Sequence, residues 1–345
     1  MSKKVLIVKI LGIGDVVMSL SIIDWIQKYE PETQVTWVIG KSSAELLTPF
    51  KEIITPIIVD EKKLFGTSFF SKGTELFKVW KSLFLKKFEL ILTLHSDSRF
   101  RLISLFTTAK ETRFFKRKGR VLPNPSRHYS NEYLNLYLNL DSFENQSAAL
   151  PQLQRREEAS QVKQFFSEKS AYVCLSVGGA KNALSEAPLK RWPIEHYLTL
   201  ATKLSEFGIK VVLIGAPSDL ADAKHFAHLP NVINLVGKTT LLECVEVISY
   251  SNALVSHDTG NLHLGSLTST PIIALFGPTN PCNFSPVRSD VITLWGGDNL
   301  PCRPCYDGRT FAKCTNNECM KSILPDDVLN QLNHILSQRI NDHTY

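Results

Sequence analysis

Apolar, β-branched runs alternate with amphipathic segments along the chain. The first run, Lys4–Ile10 (KVLIVKI), predicts a buried strand. It passes through Leu11-Gly12-Ile13-Gly14-Asp15 into a predicted helix over Val16–Lys28, and further strands are expected at Val35–Ile39, Ile53–Val59 and Glu89–Leu94. The second half restarts the pattern. Ala171–Val177 reads as a strand ending in Gly178-Gly179, Ile194–Phe207 as a helix closed by Gly208, and Lys210–Ile214, Ala253–Val255 and Ile272–Phe276 as buried strands. Strands separated by helices indicate parallel βαβ units. The expected architecture is α/β, with two Rossmann-like halves facing one another across a cleft. A polar stretch near Asp141–Glu158 marks the boundary. It gives an N-terminal domain over 1–155, a second over 156–325 and a C-terminal helix over 326–345 expected to pack back on the first.

A length of 345 residues suits two such domains, and 43% hydrophobic with 21% charged residues suits a globular enzyme. The net charge of +6 favours an anionic partner without requiring nucleic acid. The apolar run Val5–Ile13 meets Asp15 and Asp24 rather than a small-residue cleavage site, so it reads as a strand and not an export signal. Thr259–Val287 lacks Asp, Glu, Lys and Arg, but its glycines and prolines rule out a membrane span. A cytoplasmic location is expected, with peripheral contact at the inner face of the cytoplasmic membrane. The seven cysteines are then reduced unless they bind metal.

Three segments at strand ends carry candidate chemistry. Gly12-x-Gly14-Asp15 lets a ligand approach a helix N-terminus, although a plain βα turn with Asp15 against the helix dipole fits as well. Gly178-Gly179 followed by Lys190-Arg191 suits a diphosphate, against the blander reading of solvated loop charges. Asp258-Thr259-Gly260-Asn261-Leu262-His263 is the sharpest. Asp258 or Thr259 can cap the helix, Gly260 leaves its mouth open to phosphate, and His263 falls on the first turn. An N-cap with a buried core histidine is the alternative there. Asp219, with Asp222 nearby, is a candidate ribose acceptor.

Two further clusters stand apart. Cys302-x2-Cys305-x8-Cys314-x4-Cys319 forms a cysteine-rich insertion over 302–319, able to close a structural Zn or Fe site or to remain free or disulfide-linked cysteines. A basic stretch contains Arg99, Arg101, Arg113, Arg117, Arg120 and Arg127, and reads either as a solvated face or as a dock for an anionic acceptor. Upstream, Phe69, Phe70, Phe77, Trp80 and Phe84 interleave with lysines. They form either a core helix or a shallow membrane-contacting surface.

Together, Gly12–Val17, Lys190–Tyr197, Asp258–Leu264 and Phe276-Gly277-Pro278-Thr279 resemble the bacterial heptosyltransferases, glycosyltransferase family 9. The resemblance implies a GT-B fold and inverting transfer from ADP-L-glycero-β-D-manno-heptose without a catalytic metal. The implied acceptor is the Kdo–lipid A inner core of lipopolysaccharide, an anionic glycolipid. By the same resemblance Asp15 is the general base and Lys190, Asp258, Thr259, Gly260 and His263 bind donor, although the Gly178–Asn182 segment lacks a polar pair found in some members. The residue pattern itself adds Gly178, Gly179 and Asp219 to the donor side and Gly14, Arg99, Arg101, Arg117 and Arg120 to the acceptor side. The cysteine cluster is similar to a finger found in heptosyltransferases that modify autotransporter proteins, which keeps a protein acceptor open.

Two other classes compete with the enzyme. A non-catalytic nucleotide-binding assembly subunit need not keep a carboxylate at Asp15. A zinc-dependent nucleic-acid binder is disfavoured, because only Arg303, Arg309, Lys313 and Lys321 flank the cysteines and acids intervene.

Overall fold

The computed structural model describes residues 2–115, 127–140, 148–153, 171–180, 186–307 and 310–342. Those up to Pro151 form one compact unit and those from Gln152 onward a second. The expected boundary after residue 155 lies outside the described residues.

The first unit is a five-stranded parallel sheet of β1 (Lys4–Val8), β2 (Gln34–Gly40), β3 (Ile54–Val59), β4 (Lys87–Thr93) and β5 (Thr108–Phe114), ordered β3-β2-β1-β4-β5. Its helices are α1 (Ile13–Tyr29), α2 (Glu61–Phe65), α3 (Phe69–Leu83) and α4 (Tyr129–Leu138). β1 is central, and Val5, Leu6, Ile7 and Val8 are wholly buried, as a strand covered on both faces requires. α1 begins three residues earlier than the sequence pattern predicts. Gly12, at φ 84°, turns the chain sharply after the strand and serves as the N-cap.

The second unit is a six-stranded parallel sheet of β6 (Tyr172–Ser176), β7 (Lys210–Ile214), β8 (Val232–Asn234), β9 (Ala253–His257), β10 (Ile272–Phe276) and β11 (Val291–Trp295), ordered β11-β10-β9-β6-β7-β8. The accompanying helices are α5 (Ile194–Glu206), α6 (Leu220–Ala223), α7 (Leu241–Tyr250), α8 (Gly260–Gly265), α9 (Pro281–Phe284), α10 (Glu318–Lys321) and α11 (Pro325–Asp342). α5 buries Tyr197, Leu200, Ala201 and Leu204, a stripe at helical spacing. Thr240 and Glu243 form a reciprocal capping box at the start of α7. The apolar stripe of the C-terminal helix α11 belongs to the second unit. Val328, Leu329, Leu332, Ile335 and Leu336 join the core of the second unit beside α5, β9 and β10.

Strand order identifies where each sheet opens. In the first unit the order reverses between β1 and β4, and in the second between β6 and β9. Connections leave such a pair of strands in opposite directions, so their carboxyl ends border a crevice where open α/β sheets take ligands. The loops there are 9–14 and 94–97 in one unit, and Val177–Ala180 and Asp258–Thr259 in the other. No helix among the described residues is long and apolar enough to cross a membrane.

Candidate functional site

In the second unit the crevice is built around Asp258, just beyond β9. Its carboxylate is buried, with Oδ2 2.8 Å from Lys190 Nζ and accepting the Thr279 hydroxyl at 2.8 Å, while Oδ1 lies 3.7 Å from His263 Nε2. Burial alone would raise the pKa of this carboxyl. The ammonium of Lys190 and the imidazole of His263 overcome that effect and hold it far below the usual carboxylate range. Lys190, Asp258 and His263, far apart in sequence, are therefore one electrostatic unit. Thr279, from the Gly277-Pro278-Thr279 turn after β10, completes it. The ammonium also stands 5.5 Å from the Phe284 ring centre and 5.9 Å from that of Tyr306, within cation–π range.

The capping alternative for Asp258-Thr259 does not hold. Thr259 is the N-cap residue of α8 by backbone conformation, but no side chain caps the helix. Asp258 is engaged with Lys190, and the Thr259 hydroxyl lies 3.3 Å from Ser256 Oγ. The first amides of α8, beginning at Gly260, therefore have no protein side chain as acceptor from its N-cap. His263 follows on the same short helix and is buried.

The basic pair after β6 divides its tasks. Arg191 donates through Nε and Nη2 to the Gly179 carbonyl, at 3.0 Å each, and pairs with Glu186 at 2.8 Å. Trp192 donates to the Ile323 carbonyl at 2.9 Å. These anchors tie down the turn and leave Lys190 as the cation aimed at the crevice. The glycines also differ. Gly179, at φ 98°, requires its conformational freedom, whereas a Cβ at Gly178 would come within 2.4 Å of Asp219 Cβ. The space beside Gly178 thus belongs to Asp219. Asp219 is 2% exposed, accepts from Ala216 N at 2.8 Å and takes the Ser218 hydroxyl at 3.2 Å, so its carboxylate braces its own loop.

His257, the last residue of β9, is not singled out by the sequence pattern. It is fully buried with Nδ1 2.9 Å from the Tyr197 hydroxyl, and burial pushes its pKa down to about 3. It is a neutral imidazole beneath Asp258.

In the first unit Asp15 occupies the third position of α1 after the Gly12 N-cap, and its side chain does not cap the helix. Oδ2 instead lies 3.4 Å from Lys9 Nζ, and Oδ1 accepts the Tyr133 hydroxyl at 2.8 Å. Lys9 is buried and also donates to the Leu94 carbonyl and to the Tyr133 oxygen, each at 3.3 Å. Gly14 lies between the N-cap and Asp15 on the same turn. His95, across the crevice loops, accepts from Ile10 N at 2.9 Å and stacks on Phe100 at 3.7 Å. Its burial, with Lys9 nearby, lowers its pKa well below the ordinary value. Lys9, Tyr133 and His95 carry no motif, and only the fold gathers them.

The basic residues expected to face the acceptor are less concerted. Arg99 is exposed and chelated by Asp97, with Nη2 to Oδ2 at 2.6 Å, and Arg101 lies over the Phe114 ring at 4.3 Å. Arg113 is committed to Glu111 and to the carbonyl of Leu136. Arg117 and Arg120 lie outside the described residues.

The expected Zn or Fe site at the cysteines is not supported. Among the described residues no group of three or more His, Cys, Asp or Glu side chains is placed to hold a metal ion. All four cysteines are free; Cys319 is buried on α10, whereas Cys302 and Cys314 are exposed. Burial, and then the neighbouring thiols Cys305, Cys314 and Cys302, push the Cys319 thiol up to about 11. The hairpin between them forms a bridge from Tyr306 to Phe311, and Tyr306 N donates to the Pro278 carbonyl at 3.1 Å.

Two Rossmann-like units, each a parallel sheet with a crevice at its switch point, are the fold of the GT-B glycosyltransferases. The model of glycosyltransferase family 9 (heptosyltransferase) matches residues 76–315, and the chain belongs to that family. It is 28% identical over 360 residues to lipooligosaccharide heptosyltransferase 2 of Haemophilus ducreyi, covering 97% of this chain and 99% of that one. Among solved structures, the family 9 glycosyl transferase of Veillonella parvula has the same fold, with 20% identity and a TM-score of 0.76 over 98% of both chains. The ADP-heptose lps heptosyltransferase II of E. coli gives 20% identity and a TM-score of 0.71, over 97% of this chain and 99% of that one.

Proposed function

We propose that this chain transfers heptose from an ADP-heptose donor to an inner-core lipopolysaccharide acceptor, with inversion at the anomeric carbon. The observation that carries this reading is the Lys190–Asp258–Thr279 cluster beside the uncapped N-terminus of α8. A leaving nucleoside diphosphate develops negative charge as the glycosidic bond breaks. Backbone amides at Gly260 and the ammonium of Lys190 supply fixed donors to it without a catalytic metal. Asp258 holds Lys190 aimed at the crevice through their 2.8 Å ion pair.

Asp15 is the base in this reading. A carboxylate 37% exposed is open to an acceptor hydroxyl, while Lys9 and Tyr133 hold both of its oxygens from the protein side. As the acceptor oxygen attacks the anomeric carbon its proton passes to Asp15, and the bond to ADP breaks with its charge balanced by Lys190 and the Gly260 amide. The ADP-heptose and lipopolysaccharide named for the E. coli neighbour support this choice of donor and acceptor. An acceptor of that kind brings the chain to the inner face of the cytoplasmic membrane.

The test is a thermal-shift panel of ADP, UDP, GDP and CMP, followed by transfer from ADP-heptose to Kdo–lipid A and to heptosyl-Kdo. ADP should give the largest stabilisation, since ligand bound only to the folded state raises stability with the logarithm of its concentration over Kd. Equal shifts for all four nucleotides, or turnover with UDP-sugars alone, would remove ADP-heptose as donor.

A further inference from the structure

α3 and the turn after it carry the three most exposed large apolar side chains among the described residues, Phe70, Phe69 and Leu85. Glu75, Val79 and Leu83 face inward, whereas Phe69, Phe70, Phe77, Phe84 and Leu85 are 60–84% exposed. Phe70, Phe77 and Phe84 recur at intervals of seven, so they follow one outward stripe of the helix. Leu85 is held at φ 56°, a conformation that L side chains disfavour, with its amide bonded to the Phe106 carbonyl at 3.3 Å. Trp80 packs edge-on against Phe106 at 4.9 Å and donates to the Leu102 carbonyl at 2.8 Å. That fixes the exposed Leu102, Leu105 and Phe106 alongside the stripe.

Charge selects the occupant. Residues 61–88 contain seven lysines and two acids, and both acids, Glu61 and Glu75, are buried. Glu61 accepts from Ser42 N, and Glu75 from Asp60 N with Lys78 beside it. Every fully exposed charge on this segment is therefore a lysine, among them Lys81, Lys86 and Lys87 around Phe84 and Leu85. Aromatic rings that insert shallowly, with long cationic side chains reaching past them, match the interface of an anionic bilayer.

We infer that α3 and the Phe84–Lys87 turn dock this chain onto a membrane surface bearing anionic phospholipid headgroups, with the phenylalanine stripe inserted at acyl-chain level. The docking stands on this surface alone. It rests on the proposed acceptor only for its purpose, which is to bring the enzyme to a substrate anchored in lipid.

The experiment is sedimentation of the full chain with vesicles of phosphatidylcholine, with and without phosphatidylglycerol, lacking acceptor and nucleotide. Binding to the anionic vesicles only, weakened by salt, is expected. Phe70→Ser/Phe77→Ser should lower the partition coefficient by about tenfold or more. Lys81→Glu/Lys86→Glu/Lys87→Glu should lower it by about a hundredfold, as each lysine near an anionic surface contributes about fivefold. Both variants should keep their melting temperature and ADP affinity, because the replaced side chains lie in solvent. Wild-type protein that ignores anionic vesicles at low salt overturns the proposal, as do variants that bind equally well. So does a wild-type dimer in light scattering that the Phe70→Ser/Phe77→Ser variant dissociates, since the stripe would then meet a second copy. Failure of heptose transfer with vesicle binding intact would count against the acceptor and leave the docking standing.

Discussion

Lys9 and Asp15 hold their charges 3.4 Å apart on the two sides of a tight turn, the lysine buried and the carboxylate open to solvent. One partner is fixed by the fold, and the other is left accessible. Asp15→Asn keeps the size of the side chain and its bond from Tyr133 but cannot take a proton. Its kcat should fall by about 10²–10⁴-fold, with ADP affinity unchanged. An Asp15→Asn enzyme turning over within a few-fold of wild type would remove Asp15 as base.

Lys9 should act through Asp15. Lys9→Met leaves the carboxylate with the Tyr133 hydroxyl alone to orient it, so kcat should fall by about tenfold or more with ADP affinity unchanged. A variant folded as wild type that turns over at the wild-type rate would reduce Lys9 to a packing role.

If Lys190 meets the diphosphate as proposed, Lys190→Ala removes a charge-assisted contact and ADP binding should weaken by about 1–3 kcal/mol. It also leaves Asp258 buried without its ammonium, at a stability cost of about 3–5 kcal/mol. Lys190→Met/Asp258→Asn should recover most of that stability and none of the affinity. Calorimetry with ADP separates the two effects, and a single variant that binds ADP normally would exclude Lys190 from the site.

His257 makes stability depend on pH. Its folded pKa of about 3 lies below the value near 6.5 of an unfolded histidine, so the unfolded chain binds the proton first. The stabilisation is fully present above about pH 6.5 and is lost as pH falls from there toward 3. At pH 5 the loss should be roughly 2 kcal/mol relative to pH 7. His257→Asn offers an amide to the Tyr197 hydroxyl without titrating. Denaturant melts at pH 7 and pH 5 should therefore lie closer together in the variant. An equal drop in both proteins would place the acid sensitivity elsewhere.

Gly178→Ala should destabilise by about 1–3 kcal/mol, because the new methyl group runs into the Asp219 side chain. Gly178→Ala/Asp219→Gly should recover part of the loss, since the clash is with the Asp219 Cβ itself. An isolated Gly178→Ala protein as stable as wild type, by denaturant titration, would mean that Asp219 moves aside freely.

Legibility in the sequence follows burial. β1, β6, β7 and β10 lie inside their sheets, and each centres on an unbroken apolar run that can be read directly. β5 (TAKETRF) and β8 (three residues) stand at or toward sheet edges with one face in solvent, so no run marks them. At the site, Lys190, Asp258 and His263 are visible because glycines and helix starts surround them. Lys9, Tyr133 and His257 are not, because each looks like an ordinary strand or helix residue until the sheet order brings it to a crevice. Asp219 shows the reverse case, since an acid at a plausible spacing proves to be engaged with its own loop.

The Tyr306 amide bond to Pro278 means that the cysteine-rich hairpin and the turn presenting Thr279 share a hinge point. At that point the Tyr306 ring, stacked on Phe311 at 4.6 Å, looks onto the Lys190 ammonium. A substitution at Tyr306 is thus felt in three places at once: the seat of the hairpin, the turn that carries Thr279, and the surroundings of the Lys190 ammonium.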